Sequence, residues 1–173
     1  MPAPRIVIPS GALVVLIGAA GAGKSSFARR HFPATSILSS DAFRAMVGDD
    51  EDNQAASADA FKLLDQAARM RLAHRRLTVV DATSVRRRAR RPLLELAKEL
   101  GAPPVAIVFN LDESLCRARN RRRGRVVPED VIHRQAEALR QSLAGLRQEG
   151  FARVWVFERA GEASRAAVEL KSD

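Results

Sequence analysis

The 173-residue sequence contains no tyrosine, one tryptophan and one cysteine, and aromatic residues make up only 5% of it. A surface of many aromatic platforms for stacked bases is therefore not expected. The lone Cys116 excludes an intramolecular disulfide and fits a reducing cytoplasm; among aliphatic neighbours on an expected helix it reads as a small core residue. No apolar run approaches the ~20 residues of a membrane-spanning helix. Residues 1–9 lack the long apolar core of a secretory signal. Acid is also scarce relative to base: 20 Asp and Glu face 29 Lys and Arg, a net charge of +9, which favours polyanionic partners. Hydrophobic residues reach 46%, enough to core one domain of this length, expected over residues 1–173.

What the sequence does contain is a phosphate loop. Gly18, Ala19, Ala20, Gly21, Ala22, Gly23, Lys24 and Ser25 spell G-x-x-x-x-G-K-S directly after the apolar run Leu13, Val14, Val15, Leu16 and Ile17. A buried strand thus feeds a glycine-rich turn that opens a helix through Ser26 and Phe27. Successive backbone N–H groups in such a turn point into a concavity that holds phosphate oxygens. Lys24 is expected to reach the β- and γ-phosphates of ATP or another nucleoside triphosphate, and the Ser25 hydroxyl to ligate Mg²⁺.

Strand-like and helix-like segments alternate along the rest of the chain. Short apolar runs recur at residues 35–38, 77–80, 105–109 and 153–157, and helical periodicity fills the gaps between them. Phe61, Leu64, Ala68 and Leu72 form one stripe; Ile132, Ala136, Leu139, Leu143 and Leu146 form another. A last short helix is expected at about 163–170. The fold class implied is α/β, a five-stranded parallel sheet with helices on both faces. Ligands in such sheets sit beyond the carboxyl ends of the strands, where Lys24, Ser25, Asp41 and Asp81 would meet.

Asp41 follows the second of these strands and is placed to accept a proton from an attacking hydroxyl, or else to cap the helix it begins, a duty Ser39 or Ser40 could also perform. Arg44, one turn later, would bind an acceptor phosphate or pair with Asp41 or Asp81. Asp81 would hold a Mg²⁺-bound water, or serve as a turn residue. Two arginine blocks stand out. Arg117, Arg119, Arg121, Arg122, Arg123 and Arg125 lie between two expected helices, suiting either a lid over the triphosphate at about 119–127 or a solvated helix end. Arg86, Arg87, Arg88, Arg90 and Arg91 open a helix where cations oppose its dipole, suiting either acceptor-strand binding or plain solvated surface.

Taken together, the phosphate loop, Ser-Ser-Asp-Ala-Phe-Arg at 39–44, Asp-Ala-Thr at 81–83 and Cys-Arg-Ala-Arg-Asn-Arg-Arg-Arg at 116–123 resemble the bacterial polynucleotide 5′-kinases. More specifically, they resemble the kinase module of the RNA-repair kinase–phosphatase–ligase enzymes, over about residues 6–157. The resemblance implies a P-loop phosphotransferase that moves the γ-phosphate of ATP to the 5′-OH end of RNA or DNA. It implies Asp41 as general base, Arg44 on the phosphate after the acceptor nucleoside, and Arg119, Arg123 and Arg125 as lid arginines. Met46 and Val47 would pack on the acceptor nucleoside, and Thr83 would lie in its site. Ser84 stands where that family usually has Asn. The chain carries no phosphatase or ligase domain, so a stand-alone kinase or a module acting with such partners is expected. A small-molecule kinase of the same fold is the alternative, one with no evident use for the charge of +9.

Overall fold

The computed structural model describes residues 4–172; the first three residues of the segment read for a leader lie outside them. Five parallel strands form the main sheet: β2 (Leu13–Gly18), β3 (Ile37–Ser39), β4 (Thr78–Asp81), β5 (Pro104–Phe109) and β6 (Arg153–Phe157), in the order β3-β4-β2-β5-β6. Every residue of β2 is buried, as a strand paired on both edges and covered on both faces requires. The helices are α1 (Lys24–His31), α2 (Ser40–Gly48), α3 (Ser57–Ala73), α4 (Arg87–Leu100), α5 (Glu113–Arg121), α6 (Glu129–Leu143) and the single turn α7 (Glu162–Arg165).

The two sheet faces bury separate clusters. Leu64, Ala68 and Leu72 of α3 pack with Leu93, Leu96 and Ala97 of α4 and Leu139 of α6 on one face. Phe27, Phe109 and Phe157 meet edge to face on the other, with centroids 5.3–5.6 Å apart. With Phe32, four of the eight aromatic residues are thus buried in the cluster around α1.

A further pair of strands corrects the expected C-terminal helix. The chain turns through α7 and then runs as β7 (Ala167–Leu170), parallel to β1 (Arg5–Ile8). The spacing of Ala163, Ala166, Ala167 and Leu170 mimics a helical stripe, but the ladder to β1 decides the conformation. Ile6 and Ile8 alternate inward and are fully buried in the second cluster, a strand signature four residues long.

Arg90 resolves part of the first arginine block. It is fully buried, its guanidinium forks onto both carboxylate oxygens of Glu149 at 2.5 and 2.8 Å, and it donates to the Ser84 carbonyl at 2.8 Å. Ser84 sits at φ 47. That left-handed region is entered more readily by Asn than by Ser, so Ser84 holds it at some cost.

Candidate active site

The phosphate loop follows from β2 and α1. Gly21 and Gly23 take φ 80 and 97, and a Cβ on Gly21 would run into the backbone carbonyl of Cys116. Cys116 itself is buried, and burial pushes its thiol pKa up, so it is a core residue supporting the loop. Two bonds fix the loop from outside: the Gly18 N–H donates to the Thr83 carbonyl at 3.0 Å, and the Ala20 N–H to Gln135 Oε1 of α6 at 2.8 Å. Lys24 Nζ donates to the Gly18 and Ala19 carbonyls at 2.8 and 2.9 Å. Burial lowers its pKa to about 8, against the opposing pull of Asp81. Arg119 Nη1 lies 3.5 Å from the Ala22 carbonyl, which sets it over the same loop.

Asp41 stands across from this loop at the second position of α2. Ser39, not Asp41, caps that helix, its hydroxyl accepting from the Ala42 N–H at 3.3 Å. The Asp41 carboxylate faces two guanidiniums instead: that of Arg44, and Arg125 Nη1 at 2.9 Å. Arg44 is nearly buried and also donates to the Glu51 carbonyl at 2.8 Å. Arg125 forms a second ion pair with Asp52 of the acidic loop.

Two large cavities meet at these side chains. One, of about 710 Å³, is lined by the loop residues Gly21, Gly23 and Ser25 together with Arg119. The other, of about 700 Å³, lies between α2, α3 and α6 and is lined by Arg44, Phe61, Thr83, Arg125 and Val126. Lys24, Ser25, Asp41, Asp81 and Arg123 border both. A third cavity of about 200 Å³ adjoins the first beyond Gly23, Ser26 and Arg119, and is closed by Leu111, Arg159 and Gly161.

The structure thus brings together Lys24, Ser25, Asp41, Asp81, Arg119 and Arg123. Arg44, Thr83 and Arg125 gather on the second cavity; Arg125, expected on the nucleotide, faces Asp41 and Asp52. Met46 and Val47 do not line either large cavity, and Met46 is 71% exposed. Phe61 departs from the stripe assigned to it: the rest of the stripe is buried, whereas Phe61 is 42% exposed and opens onto the second cavity.

Several residues that shape the candidate site carry no legible signal in the sequence. Asn120 is fully buried; its side chain donates to the Val127 carbonyl at 2.7 Å and accepts from the Val127 N–H at 3.0 Å. These two bonds close the base of the arginine-bearing loop between α5 and α6. Gln135 and Arg159 are similarly unmarked. Mg²⁺ fits the donor set: Ser25 supplies a hard hydroxyl oxygen and Asp81, nearly buried at the end of β4, a carboxylate. Among the described residues no group of three or more His, Cys, Asp and Glu side chains is placed to hold a metal. No helix among the described residues is long and apolar enough to cross a membrane.

A family model described as an AAA domain matches residues 13–146. None of the curated proteins matches this chain. Among solved structures, a chain of the Pnkp1/Rnl/Hen1 RNA repair complex is 24% identical, with a TM-score of 0.66 over 83% of this chain and 46% of its own. A gluconokinase from Sinorhizobium meliloti 1021 is 23% identical, with a TM-score of 0.56 over 91% of this chain and 87% of its own. Shikimate kinase from Acinetobacter baumannii is 14% identical, with a TM-score of 0.54 over 88% and 87%. The chain spans about half the length of the RNA repair chain it matches. The fold common to all three is that of the P-loop kinases.

Proposed function

The chain belongs to this AAA-domain family, with a P-loop kinase fold, and on that premise we propose that it is a polynucleotide 5′-hydroxyl kinase using ATP. The observation that carries the reading is the junction of the two cavities. A carboxylate free of capping duty, Asp41, stands there opposite Lys24 and Arg123. ATP occupies the loop cavity, with its base toward the third cavity between Arg119 and Arg159. Magnesium, held by Ser25 and through water by Asp81, offsets phosphate charge when it is bound. The acceptor 5′-hydroxyl enters from the second cavity. Its oxygen attacks the γ-phosphorus, its proton passes to Asp41, and the bond to the β-γ bridging oxygen breaks to release ADP. Lys24, Arg119 and Arg123 offset charge on the transferring group. Arg44 and Arg125 exchange Asp41 for an acceptor phosphate.

The second cavity supports a nucleoside acceptor in particular. Phe61 and Val126, 42% and 57% exposed, give it apolar walls beside two guanidiniums. A base with an attached phosphate matches that pairing better than a polyhydroxylated acid does. The likeness to the gluconokinase along most of both chains favours a small-molecule acceptor as the second reading.

Transfer from γ-labelled ATP to 5′-OH oligonucleotides, compared with gluconate and shikimate, decides between them. Oligonucleotides are the expected acceptors, and Asp41→Ala should cut transfer by about 10²–10⁴-fold with ATP binding retained. Transfer only to the small acids would overturn the polynucleotide reading, and full activity in Asp41→Ala would remove the base assignment.

A further inference from the structure

Three arginines that this reaction does not use stand beside the acceptor cavity. Arg86, Arg87 and Arg88 are exposed at the start of α4. The first turn of that helix holds no acid, and Arg86 makes no side-chain capping bond. Like charge at a helix N-terminus is unfavourable. The other helices of eight residues or more carry an acid in the first turn, except α1, which follows the phosphate loop. Surface arginines elsewhere commonly meet carboxylates, as Arg69 meets Glu99, Arg91 meets Glu95 and Arg121 meets Glu129. Among the described residues, no ion pair engages Arg86, Arg87 or Arg88.

In the chain they follow directly on a wall of the acceptor cavity. Thr83 lines that cavity, and Arg86 follows it within a chain reach of about 11 Å. A separate groove of about 500 Å³ runs along α4, lined by Arg87, Arg91, Leu94 and Lys98. These four positions recur at helical spacing and so share one face of α4, spanning about 16 Å. The two acids on the groove are already engaged: Glu95 by Arg91, and Glu149 by the buried Arg90.

We propose that this basic groove, from Arg86 along α4 to Lys98, holds the phosphodiesters of a single-stranded acceptor downstream of its terminal nucleotide. The inference rests on the polynucleotide reading and assigns it a strand path. A compact metabolite would not reach these arginines, whereas each further nucleotide brings a phosphate to them.

The test uses a 3′-fluorescein-labelled single-stranded 12-mer with a 5′-OH, bound to the whole chain without ATP across a salt series. Arg86→Gln/Arg87→Gln/Arg88→Gln should weaken binding by more than about tenfold and reduce the log–log salt slope by about 2, near 0.7 for each phosphate no longer neutralised. The pair Arg75→Gln/Arg76→Gln, which lowers net charge elsewhere, should leave the slope in place. In phosphate transfer, the triple variant should lose at least about tenfold more kcat/KM on the 12-mer than on thymidine 3′-monophosphate. Unchanged affinity and slope, or equal losses on both acceptors, would overturn the groove assignment alone. A wild-type chain that binds the 12-mer through these arginines but phosphorylates neither acceptor would overturn the polynucleotide reading alone. No binding of the 12-mer by the wild type would overturn the groove.

Discussion

At the scale of single residues, the site is built from charges held at a cost. Lys24 is an ammonium in a buried position, its pKa lowered from 10.5 to about 8 chiefly by desolvation. Between those two values the unfolded chain binds the lysine proton and the folded chain does not, so this group makes stability rise with pH above about 8. Below that the folded protein carries the full penalty. Lys24→Met should therefore abolish transfer yet stabilise the fold at pH 7 by up to about 3 kcal/mol, less what the two carbonyl bonds contribute. The gain should shrink between pH 8 and 9.5, as chemical denaturation at each pH would show; a variant less stable at pH 7 would contradict the sign. Lys24 was legible because its motif fixes it by sequence distance. Arg90 was not: it reads as one more surface charge in a basic block, and its partner Glu149 lies far along the chain. Asp41 was legible as a candidate, but only the Ser39 cap showed that it is spared a structural duty.

At the scale of elements, the proposed lid is a loop whose base one side chain ties. Asn120, in the last turn of α5, grips both backbone polar groups of Val127. The intervening segment carries Arg121, Arg122, Arg123 and Arg125, which repel one another. Arg121 is drawn to Glu129 and Arg125 to Asp41 and Asp52, while Arg123 lies near enough to Lys24 for its like charge to help lower the lysine pKa. Asn120→Ala would leave the half-buried Val127 N–H and carbonyl without their partners, at no more than about 1–3 kcal/mol for each unsatisfied group. The expected outcome is a modest fall in thermal stability with a larger rise in KM for ATP, because Arg119 and Arg123 lose their anchor. Steady-state kinetics with nucleotide titration would check it; unchanged KM for ATP would show that the lid holds itself. The sequence marked this segment by its arginines and by Pro128. It could not mark the anchor, since a buried Asn has no periodicity of its own. Five strands of the main sheet were visible as apolar runs because buried parallel strands are apolar on both faces.

At the scale of the whole molecule, the two sheets divide the work. The five-stranded sheet aims its carboxyl ends at the reaction, while the β1–β7 pair lies against the α1 face and joins the two ends of the described chain. These short strands were hidden in the sequence because β1 offers only two inward positions and β7 none that is fully buried. Their pairing nevertheless bears on the site. The segment that leads into β7 supplies Gly161, Ala163 and Ser164 to the small cavity beside Arg119, and the Ser164 carbonyl accepts from Arg30 of α1 at 3.0 Å. Ile8→Ala empties a fully buried position under this arrangement, a change that costs about 2–5 kcal/mol in packed cores. If the small sheet positions the base end of the nucleotide cavity, the variant should weaken ATP binding well below its melting temperature. Affinity for an oligonucleotide in the absence of ATP should move much less, because the groove proposed for the acceptor strand lies along α4 on the other face of the main sheet. Thermal denaturation with separate titrations of ATP and oligonucleotide would separate the two. Equal weakening of both ligands would mean that the small sheet supports the fold as a whole and not the donor cavity.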